Sequence, residues 1–451
     1  MARMFGTDGV RGVANDKLSC ELALQIGIAG AAVLARDVEH PTIIIGTDTR
    51  KSKDMLKHAL AAGICASGGK VLDAGIIPTP ALPYLTRKYK AAAAVMISAS
   101  HNPMQDNGIK WFDSDGYKLS NETEDEIEKL VTMGSFDNRP TGSQIGTYEV
   151  LENAKEDYKQ MLCASTEIRF DGFHIALDCA NGASSDFAQD VFERLGAKVS
   201  VCSNMPDGCN INAGCGSTHI NHLCEFVKKT GADFGFAFDG DADRVIAVDE
   251  NGNEVNGDEI MGICAINMKK QGKIKKDTLV ITVMSNLGLK QKMLAEGINI
   301  VETQVGDKHV LAEIRDNGYN LGGEQSGHII FFDYNTSGDG MMSAIQLTAI
   351  IKESGKTLGQ LASQIPILPQ CLINVRVDTT VIESVKSDID MHNRIEEVKN
   401  QLGDDGRVLV RPSGTEPLIR IMLEGKDVDD INKKAVYIAE PIIQKYDGII
   451  K

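Results

Sequence analysis

The sequence predicts an α/β protein with three α/β domains and a smaller α+β domain at its C-terminal end. Three stretches share one pattern, in which a short apolar run leads through a polar turn into an amphipathic segment; they begin at Thr42, His174 and Thr278. Each apolar run is rich in Ile, Val and Leu, as expected of a strand buried on both faces. The spacing of the three stretches fits domains of typical size. The smaller domain is predicted from the segments INVRV and VLVRPSGTEPLIRIMLEG after residue 368.

Domain boundaries are expected where polar turns or prolines interrupt this pattern. The length of 451 residues fits three or four domains. Segment 22–35 predicts a buried helix, segment 148–162 a helix that bridges the first two domains, and the proline-marked segment 365–377 a crossing into the last domain. We therefore place the four domains at residues 1–152, 153–253, 254–367 and 368–451.

The composition excludes two classes of partner. The 47 basic and 63 acidic residues give a net charge of −16, and no basic stripe is present that would bind nucleic acid. Segment 22–35 is the most apolar part of the chain and is too short to span a bilayer, so no membrane partner is expected. The N-terminal stretch MARMFGTDGVRG lacks the apolar core of a signal peptide.

The ten cysteines predict reduced thiols. They form no Cys-x-x-Cys pair, and the cluster of Cys202, Cys209, Cys215 and Cys224 is too widely spaced for a zinc ribbon. Scattered reduced thiols are typical of the cytosol. The sequence therefore predicts a cytoplasmic protein.

An acidic turn between two apolar strands predicts a metal site. In FGFAFDGDADRVIAVDENG, Asp239, Asp241 and Asp243 stand at alternate positions, where their charges would repel one another without a cation. Hard oxygen ligands suit Mg²⁺ or Ca²⁺, and we favour Mg²⁺. An EF-hand is excluded because Arg244 stands where that loop needs glycine, and because the flanks predict strands. The alternative is an acidic surface turn, against which the apolar flanks argue.

A second motif, RPSGTEPLIR, predicts an anion site. Backbone N–H groups near glycine form an anion nest, and arginine adds bidentate contacts to phosphate oxygens. The alternative is a basic turn between two strands. The candidate ligands are Arg411, Ser413, Gly414, Thr415 and Arg420.

A third motif, ISASHNPMQDNGIK, brings a strand of small residues to Ser100. Strand ends of α/β sheets commonly carry chemistry. The serine is not in a Gly-x-Ser-x-Gly elbow, and the adjacent His101 would tend to point away from it. Lys110 could return to the site as a cation or a proton acceptor. The alternative is a serine that caps a turn.

The stretches LGGEQSGHIIF, VGDKHV and GTDGVRG supply further polar candidates. Glu324, Ser326 and His328 stand at alternate positions, so an extended loop would present them on one side for sugar hydroxyls or an amine. The alternative is a polar turn that opens a strand. Asp307 and Lys308 are candidates for the same task. Arg11 is a candidate cation, and the glycines on either side of it allow close backbone approach.

Together these motifs resemble the α-D-phosphohexomutase family over essentially the whole chain. SASHNP resembles the family's phosphoserine loop, DGDADR its metal loop, GEQSGH its sugar loop and RPSGTEP its phosphate loop, in the expected order. The resemblance implies three mixed-sheet α/β domains of similar topology and a fourth domain like the TATA-binding protein, around a central cleft. FGTDGVRG and GGEQSGH, with Gln325, resemble the branch that acts on glucosamine phosphates.

The resemblance implies a reversible conversion of glucosamine 6-phosphate to glucosamine 1-phosphate, which supplies UDP-N-acetylglucosamine for the cell wall. The reaction would pass through a phosphoserine enzyme and glucosamine 1,6-bisphosphate, an intermediate and activator. One alternative is a mutase for glucose or mannose phosphates, and another is a non-enzymatic protein that binds sugar phosphates. A homodimer is also implied.

The resemblance also implies roles for the candidate residues. Phosphorylated Ser100 and the three aspartates would hold one Mg²⁺ per chain. Lys110 would exchange a proton with the sugar hydroxyl, while His101 and Arg244 would steady the phosphoryl group, with Arg11 a further catalytic candidate. Glu324 and Ser326 would bind the sugar, and the RPSGTEPLIR residues would hold the phosphate that is not reacting.

Overall fold

A computed structural model describes residues 3–6, 8–34, 36, 38–134, 139–413 and 417–450. The chain divides into two compact units. The first unit contains Met1–Met284 and Glu296–Gln364, and the second contains Ser285–Ala295 and Ile365–Lys451. The finer division into four domains at the boundaries given above stays a prediction.

The first sheet is mixed and has the strand order β1-β5-β4-β2-β3-β6. Strands β2, β3, β4 and β6 pair in parallel, while β5 pairs antiparallel with both β1 and β4. Its strands are β1 (Val10–Val13), β2 (Thr42–Thr47), β3 (Lys70–Ile76), β4 (Ala93–Ile97), β5 (Asp106–Phe112) and β6 (Tyr148–Val150). Its helices are α1 (Cys20–Leu34), α2 (Lys53–Ala66), α3 (Ala81–Tyr89) and α4 (Asn121–Met133).

Two sequence predictions fall in this region. Helix α1 confirms the buried helix expected over 22–35. The helix expected over 148–162 is partly wrong, because residues 148–150 form strand β6 and the helix begins at Ala154. The three strand residues are exposed. A short edge strand with no buried face has no periodic apolar pattern by which it could be recognised.

The second sheet carries the acidic turn. Its order is β11-β10-β9-β7-β8, with β8, β7 and β9 parallel and β9, β10 and β11 antiparallel. The strands are β7 (His174–Asp178), β8 (Lys198–Cys202), β9 (Phe234–Phe238), β10 (Val245–Val248) and β11 (Glu254–Val255). The helices are α5 (Ala154–Cys163), α6 (Ala188–Arg194) and α7 (Asn221–Thr230).

The third sheet is also mixed and has the order β13-β12-β14-β15. Strand β12 pairs in parallel with β13 and β14, while β15 pairs antiparallel with β14. The strands are β12 (Thr278–Thr282), β13 (Asn299–Thr303), β14 (Leu321–Gly323) and β15 (Ile329–Phe331). The helices of this region are α8 (Gly257–Lys270), α10 (Asp307–Asn317), α11 (Gly340–Ser354) and α12 (Leu358–Ala362), while α9 (Leu287–Ala295) belongs to the second unit.

The fourth sheet lies in the second unit and is antiparallel, in the order β17-β18-β16-β19. A cluster of buried apolar residues that includes Val375, Ile421 and Ile438 forms its core. The strands are β16 (Gln370–Arg376), β17 (Arg407–Pro412), β18 (Leu418–Glu424) and β19 (Ile449–Ile450), and the helices are α13 (Ile382–Lys386), α14 (Ile389–Leu402) and α15 (Val428–Tyr446). The predicted fold class, three mixed-sheet α/β domains and a smaller α+β domain, is thus confirmed. Among the described residues, every helix is too short or too polar to cross a membrane.

Helices α1 and α2 approach closely because each presents a glycine to the other. A Cβ added at Gly27 would lie 2.3 Å from the carbonyl oxygen of Leu60, and one added at Gly63 would lie 2.3 Å from that of Leu24. Backbone atoms cannot yield to such a contact as a flexible side chain can, so the helix spacing depends on these two glycines.

We expect Gly63→Ala to lower the free energy of unfolding by about 1–3 kcal/mol, because the new methyl group overpacks the α1–α2 contact. Urea unfolding followed by circular dichroism measures the change. Ala62→Ser adds one heavy atom at the exposed neighbouring position and serves as the control. Equal stability of the two variants would contradict the close-packing argument.

Candidate active site

The turn between β9 and β10 brings three carboxylates together inside the protein. Both strands are buried throughout and pair antiparallel, with Phe238 opposite Val245. Asp239, Asp241 and Asp243 are 1%, 0% and 6% exposed, and each offers an oxygen within 4.8 Å of the others. Buried like charges at this separation require a cation or protonation.

Two oxygens of this turn are left for a ligand. Among the described residues, Oδ1 of Asp241 and Oδ1 of Asp243 are buried and have no hydrogen-bond partner. Oδ2 of Asp241, in contrast, accepts hydrogen bonds from Nζ of Lys110 at 2.7 Å and from the hydroxyl of Thr79 at 2.6 Å. Orphaned carboxylate oxygens in a buried all-oxygen cluster fit a hard divalent cation. The three predicted ligands therefore fit a metal ion.

The electrostatics of the turn agree with this interpretation. Burial and the charges of Asp243 and Asp241 hold the pKa of Asp239 well above its usual range. Burial would also raise the pKa of Asp243, but the imidazole of His328 and the Lys110 ammonium hold it below its usual value. Repulsion among the carboxylates of the turn is therefore offset in part by the surrounding cationic groups.

The Ser100 hydroxyl points into the acidic cluster. It donates a hydrogen bond to Oδ2 of Asp239 at 2.5 Å, and Ser100 is 1% exposed. Ser100 has a φ of 53°, in the left-handed region that residues with a side chain rarely adopt. Such strain persists only where the surroundings fix it, and it is common at functional sites.

The backbone around Ser100 is held by groups that the sequence analysis missed. The carbonyl of Ser100 accepts hydrogen bonds from Nη2 of Arg50 and from Nδ2 of Asn212, both at 2.9 Å. Its N–H donates to the Ser98 hydroxyl at 2.9 Å, and Ser98 donates to Asp48 at 2.7 Å. These contacts hold the strained serine from both sides.

The buried pair Asp48–Arg50 anchors the whole loop. Both side chains are 0% exposed, and Nε of Arg50 lies 2.9 Å from Oδ2 of Asp48. The same guanidinium donates to the carbonyls of Asn102 at 2.8 Å and of Asp106 at 3.1 Å. An Asp-x-Arg sequence directly after the buried strand β2 is the signal that could have identified this pair.

His101 contacts Ser100, and Lys110 contacts the acidic cluster that Ser100 also contacts. Nδ1 of His101 is 3.3 Å from the Ser100 hydroxyl oxygen. Burial and the nearby charges of Arg244 and Arg11 lower the pKa of His101 to about 4, so its imidazole is neutral at pH 7. Lys110 is 3% exposed and reaches the cluster from strand β5. The structure therefore brings His101 to the serine and Lys110 to the acidic cluster beside it.

Two arginines complete the surroundings. The backbone N–H of Arg244 donates to Oδ1 of Asp239 at 3.1 Å, and its Nε is 3.8 Å from Oδ1 of Asp243. Arg11 extends from strand β1, opposite Gly108 of β5, and its Nη2 lies 3.3 Å from Asp8. Among the described residues, Nε of Arg11 and Nε of Arg244 are buried without a hydrogen-bond partner. Both arginines could bind an anion.

The prediction that Glu324, Ser326 and His328 share one side of an extended loop is wrong. The loop is a tight turn, because the N–H of Gly327 donates to the carbonyl of Glu324 at 3.0 Å and Gly327 has a φ of 88°. Ser326 is exposed, whereas His328 is buried. Oε1 of Glu324 accepts a hydrogen bond from the N–H of Gly306 at 3.0 Å.

His328 connects the sugar-loop candidates to the acidic cluster. Its Nδ1 is 3.6 Å from Oδ2 of Asp243, and its Nε2 is 3.4 Å from Oδ2 of Asp307, the first residue of α10. Asp307 also pairs with Lys118. Nζ of Lys308 is instead 2.5 Å from Oδ1 of Asn121. His328 thus contacts both the acidic turn and Asp307.

The anion-site candidates lie in the second unit. Arg411 of β17 stands directly opposite Arg420 of β18, and the N–H of Ser413 donates to the carbonyl of Leu418 at 2.8 Å. Burial and the neighbouring Arg420 charge lower the pKa of Arg411. Gly414 and Thr415 lie outside the described residues. Two adjacent guanidinium groups form a cationic pair suited to phosphate.

Family models match most of the chain in order. Residues 2–138 match the alpha/beta/alpha domain I of phosphoglucomutase/phosphomannomutase, residues 155–252 match domain II, residues 256–367 match domain III and residues 372–440 match the C-terminal domain.

Curated relatives are similar over their whole length. The phosphoglucosamine mutase of Acetivibrio thermocellus is 52% identical over 447 residues, which cover 99% of this chain and 100% of that protein. The phosphoglucosamine mutase of Clostridium novyi is 50% identical over 447 residues, with 99% of each chain covered.

Solved structures share the fold. A phosphoglucomutase/phosphomannomutase family protein from Burkholderia thailandensis has a TM-score of 0.83 at 24% identity, covering 98% of this chain and 99% of that one. The N-acetylphosphoglucosamine mutase of Aspergillus fumigatus, in complex with GlcNAc-6P and magnesium, has a TM-score of 0.70 at 17% identity, with 97% and 95% covered. The chain belongs to the phosphoglucomutase/phosphomannomutase family, the α-D-phosphohexomutases that its motifs resemble.

Proposed function

We propose that this chain is an isomerase that interconverts glucosamine 6-phosphate and glucosamine 1-phosphate by phosphoryl transfer through Ser100. The observation that carries the proposal is the 2.5 Å contact between the Ser100 hydroxyl and Asp239, at a buried carboxylate cluster with two unpartnered oxygens. Phosphoryl transfer needs an oxygen nucleophile beside a cation, and this contact supports the assignment of these roles to Ser100 and the carboxylate cluster. The identity of 50–52% with phosphoglucosamine mutases supports the choice of sugar.

Asp239, Asp241 and Asp243 would hold one Mg²⁺ together with the Ser100 oxygen. When bound, the ion neutralises charge that develops on the transferring phosphoryl group. The chain positions the ligands beforehand: Lys110 and Thr79 fix Oδ2 of Asp241, so that its Oδ1 stays available.

Lys110 is the residue that we assign to proton transfer. Its Nζ lies 2.7 Å from Oδ2 of Asp241, and an ammonium in this place can give a proton to a departing sugar oxygen. The neutral amine can take the proton of an attacking sugar hydroxyl in the opposite step. One buried lysine would thus serve both directions of a reversible reaction.

Three neighbours would hold the phosphoryl group on Ser100. Arg244 and Arg11 supply positive charge, and their guanidinium groups can bind phosphate oxygens. His101 is neutral at pH 7 because its pKa is about 4, so it contributes a hydrogen bond without adding charge.

The remaining candidates divide between sugar and phosphate. We propose that Glu324 and Ser326 contact the sugar, while His328 and Asp307 position the metal turn instead of touching substrate. Lys308 keeps its predicted role in substrate binding.

Arg411 and Arg420, with Ser413, would bind the phosphate that is not reacting, and Gly414 and Thr415 are assigned to the same loop. Binding energy from a distant phosphate can then be used for positioning. Such a second phosphate site is needed because glucosamine 1,6-bisphosphate must present each of its phosphates to Ser100 in turn. The product would supply UDP-N-acetylglucosamine for the cell wall, which fits a cytoplasmic enzyme; a homodimer stays a prediction from the resemblance.

Ser100→Ala tests the nucleophile. We expect the intact mass of the purified wild type to include a fraction heavier by one phosphoryl group, and this fraction to be absent from the variant. Mutase turnover should fall by roughly a thousand-fold or more, because no other group carries the phosphate. Ser114→Ala removes an exposed hydroxyl that lies after strand β5 and should keep the heavier fraction. A heavier fraction in Ser100→Ala would contradict the assignment.

Asp241→Asn tests the metal site. The variant should need at least about ten-fold more Mg²⁺ for half-maximal turnover, because one ligand loses its charge. Titration of Mg²⁺ after treatment with a chelator measures this change. Asp233→Asn, at the exposed residue before strand β9, is the matched control. The proposal is wrong if both variants have the same Mg²⁺ dependence as the wild type.

The choice of sugar is tested by comparing kcat/KM for glucosamine 6-phosphate, glucose 6-phosphate and mannose 6-phosphate in the presence of the matching bisphosphates. We expect glucosamine 6-phosphate to be preferred by about ten-fold or more, a difference that one additional polar contact can provide. Equal or better use of glucose 6-phosphate would favour the alternative mutase. Binding of all three without isomerisation would favour a non-enzymatic protein.

A further inference from the structure

Three side chains of different chemistry meet where strands β7 and β8 of the second sheet end. Asp178 ends strand β7, Cys202 ends the adjacent parallel strand β8, and the two residues are register partners. His222 is the second residue of helix α7. A carboxylate oxygen, the sulfur and a ring nitrogen all lie within 4.8 Å of one another.

The carboxylate oxygen and the sulfur both lie near the same ring nitrogen of His222. Nδ1 of His222 lies 3.1 Å from Oδ2 of Asp178 and 3.8 Å from Sγ of Cys202. A catalytic Cys–His–Asp relay needs the cysteine and the carboxylate at opposite ring nitrogens, but here both approach the same one. A tetrahedral Zn²⁺ with bonds of about 2.0–2.3 Å places its ligand atoms roughly 3.3–3.6 Å apart, close to these separations.

Backbone hydrogen bonds hold the Asp178 carboxylate in place, and the exposed side chain of His222 leaves the cluster accessible to solvent. Asp178 is 0% exposed, and its two oxygens accept hydrogen bonds from the N–H groups of Ala180 and Gly216, each at 2.9 Å. The His222 side chain is 44% exposed, which leaves a route from solvent. A metal site needs both a positioned ligand set and an entry path.

We propose that Asp178, Cys202 and His222 form a second metal site, selective for Zn²⁺ or an ion of similar softness. Sulfur and imidazole ligands suit Zn²⁺, whereas the all-oxygen cluster at Asp239 suits Mg²⁺. Three protein ligands leave a fourth position of the tetrahedron for water. The spacing argument against a zinc ribbon is unaffected, because only one ligand of this site is a cysteine.

Binding must displace the thiol proton of Cys202. Burial and the negative charge of Asp178 raise the pKa of Cys202 to about 12, so the sulfur carries its proton when no ion is bound. On binding, the S–H bond breaks, a sulfur–metal bond forms, and the proton leaves to solvent. The ion replaces the proton as the partner of the sulfur and adds positive charge beside Asp178.

The site is tested with Co²⁺, which takes zinc positions and gives a near-ultraviolet charge-transfer band when it binds a thiolate. Purified protein saturated with Mg²⁺ is titrated with Co²⁺, so that the oxygen ligands of the first site are already occupied. We expect the band to appear with one equivalent of Co²⁺ and to disappear when Zn²⁺ is added.

Cys202→Ser should abolish the band, and His222→Ala should weaken Co²⁺ binding by more than about 100-fold, since loss of a direct ligand exceeds the usual effect of an outer partner. Cys209→Ser changes an exposed cysteine of the same region and should leave the band unchanged. Circular dichroism shows whether each variant is folded. His222 is exposed, so its variant tests the site even if Cys202→Ser misfolds.

Three results would overturn the proposal: no band in the wild type, a band that persists in folded Cys202→Ser, or unchanged Co²⁺ binding by His222→Ala. Mutase activity is independent of this readout. Failure of the Zn²⁺ site would therefore leave the proposed function intact, and failure of Ser100→Ala to remove the phosphoryl mass would leave the Zn²⁺ site intact.

Discussion

The repulsion among Asp239, Asp241 and Asp243 is the constraint on which the rest of the first unit's active site depends. Three carboxylates with oxygens within 4.8 Å of one another and at most 6% exposure cannot all be charged without compensation. Lys110 from the first sheet and His328 from the third sheet approach this turn of the second sheet. Each sheet thus supplies part of the compensation, and a divalent ion would complete it. The turn also explains why Ser100 is oriented inward: its hydroxyl is one of the few donors that Asp239 has.

Holding Ser100 in this place requires a second set of buried polar groups. A φ of 53° at a serine costs free energy of order 1–3 kcal/mol, which the surrounding contacts must offset. Arg50 meets this need because its fork donates to several loop carbonyls while Asp48 neutralises its charge inside the protein. The Asp48–Arg50 pair therefore positions the loop that carries Ser100, and the complete burial of both side chains keeps them out of contact with substrate. Chemistry and positioning are divided between different residues.

Local patterns predicted the parts of the site whose spacing alone is informative. Alternate carboxylates between apolar strands directed attention to the acidic turn, and a strand of small residues directed attention to Ser100. The structure brings the Ser100 hydroxyl and this turn together. Contacts between distant segments left no such trace: Thr79 meets Asp241 across 162 positions, and Asn212 meets Ser100 across 112. His328 shows the opposite failure, because alternation predicted an extended loop while a hydrogen-bonded turn buried the imidazole. The fold was more predictable than the site, because a buried strand is recognisable from its run of apolar residues. The exposed strand β6 has no such run and was not predicted.

Arg411 and Arg420 of the second unit repel each other as the three aspartates of the acidic turn do, but with positive charges. Arg411 and Arg420 are cross-strand neighbours, and like charges directly opposite one another destabilise a sheet. Burial and the Arg420 charge lower the pKa of Arg411, which is the direction expected from this unfavourable repulsion. A bound phosphate would reverse that cost, just as a divalent cation would at the acidic turn. Each site is therefore less stable alone than with its ligand, so ligand binding is coupled to the local stability of the strands that carry it.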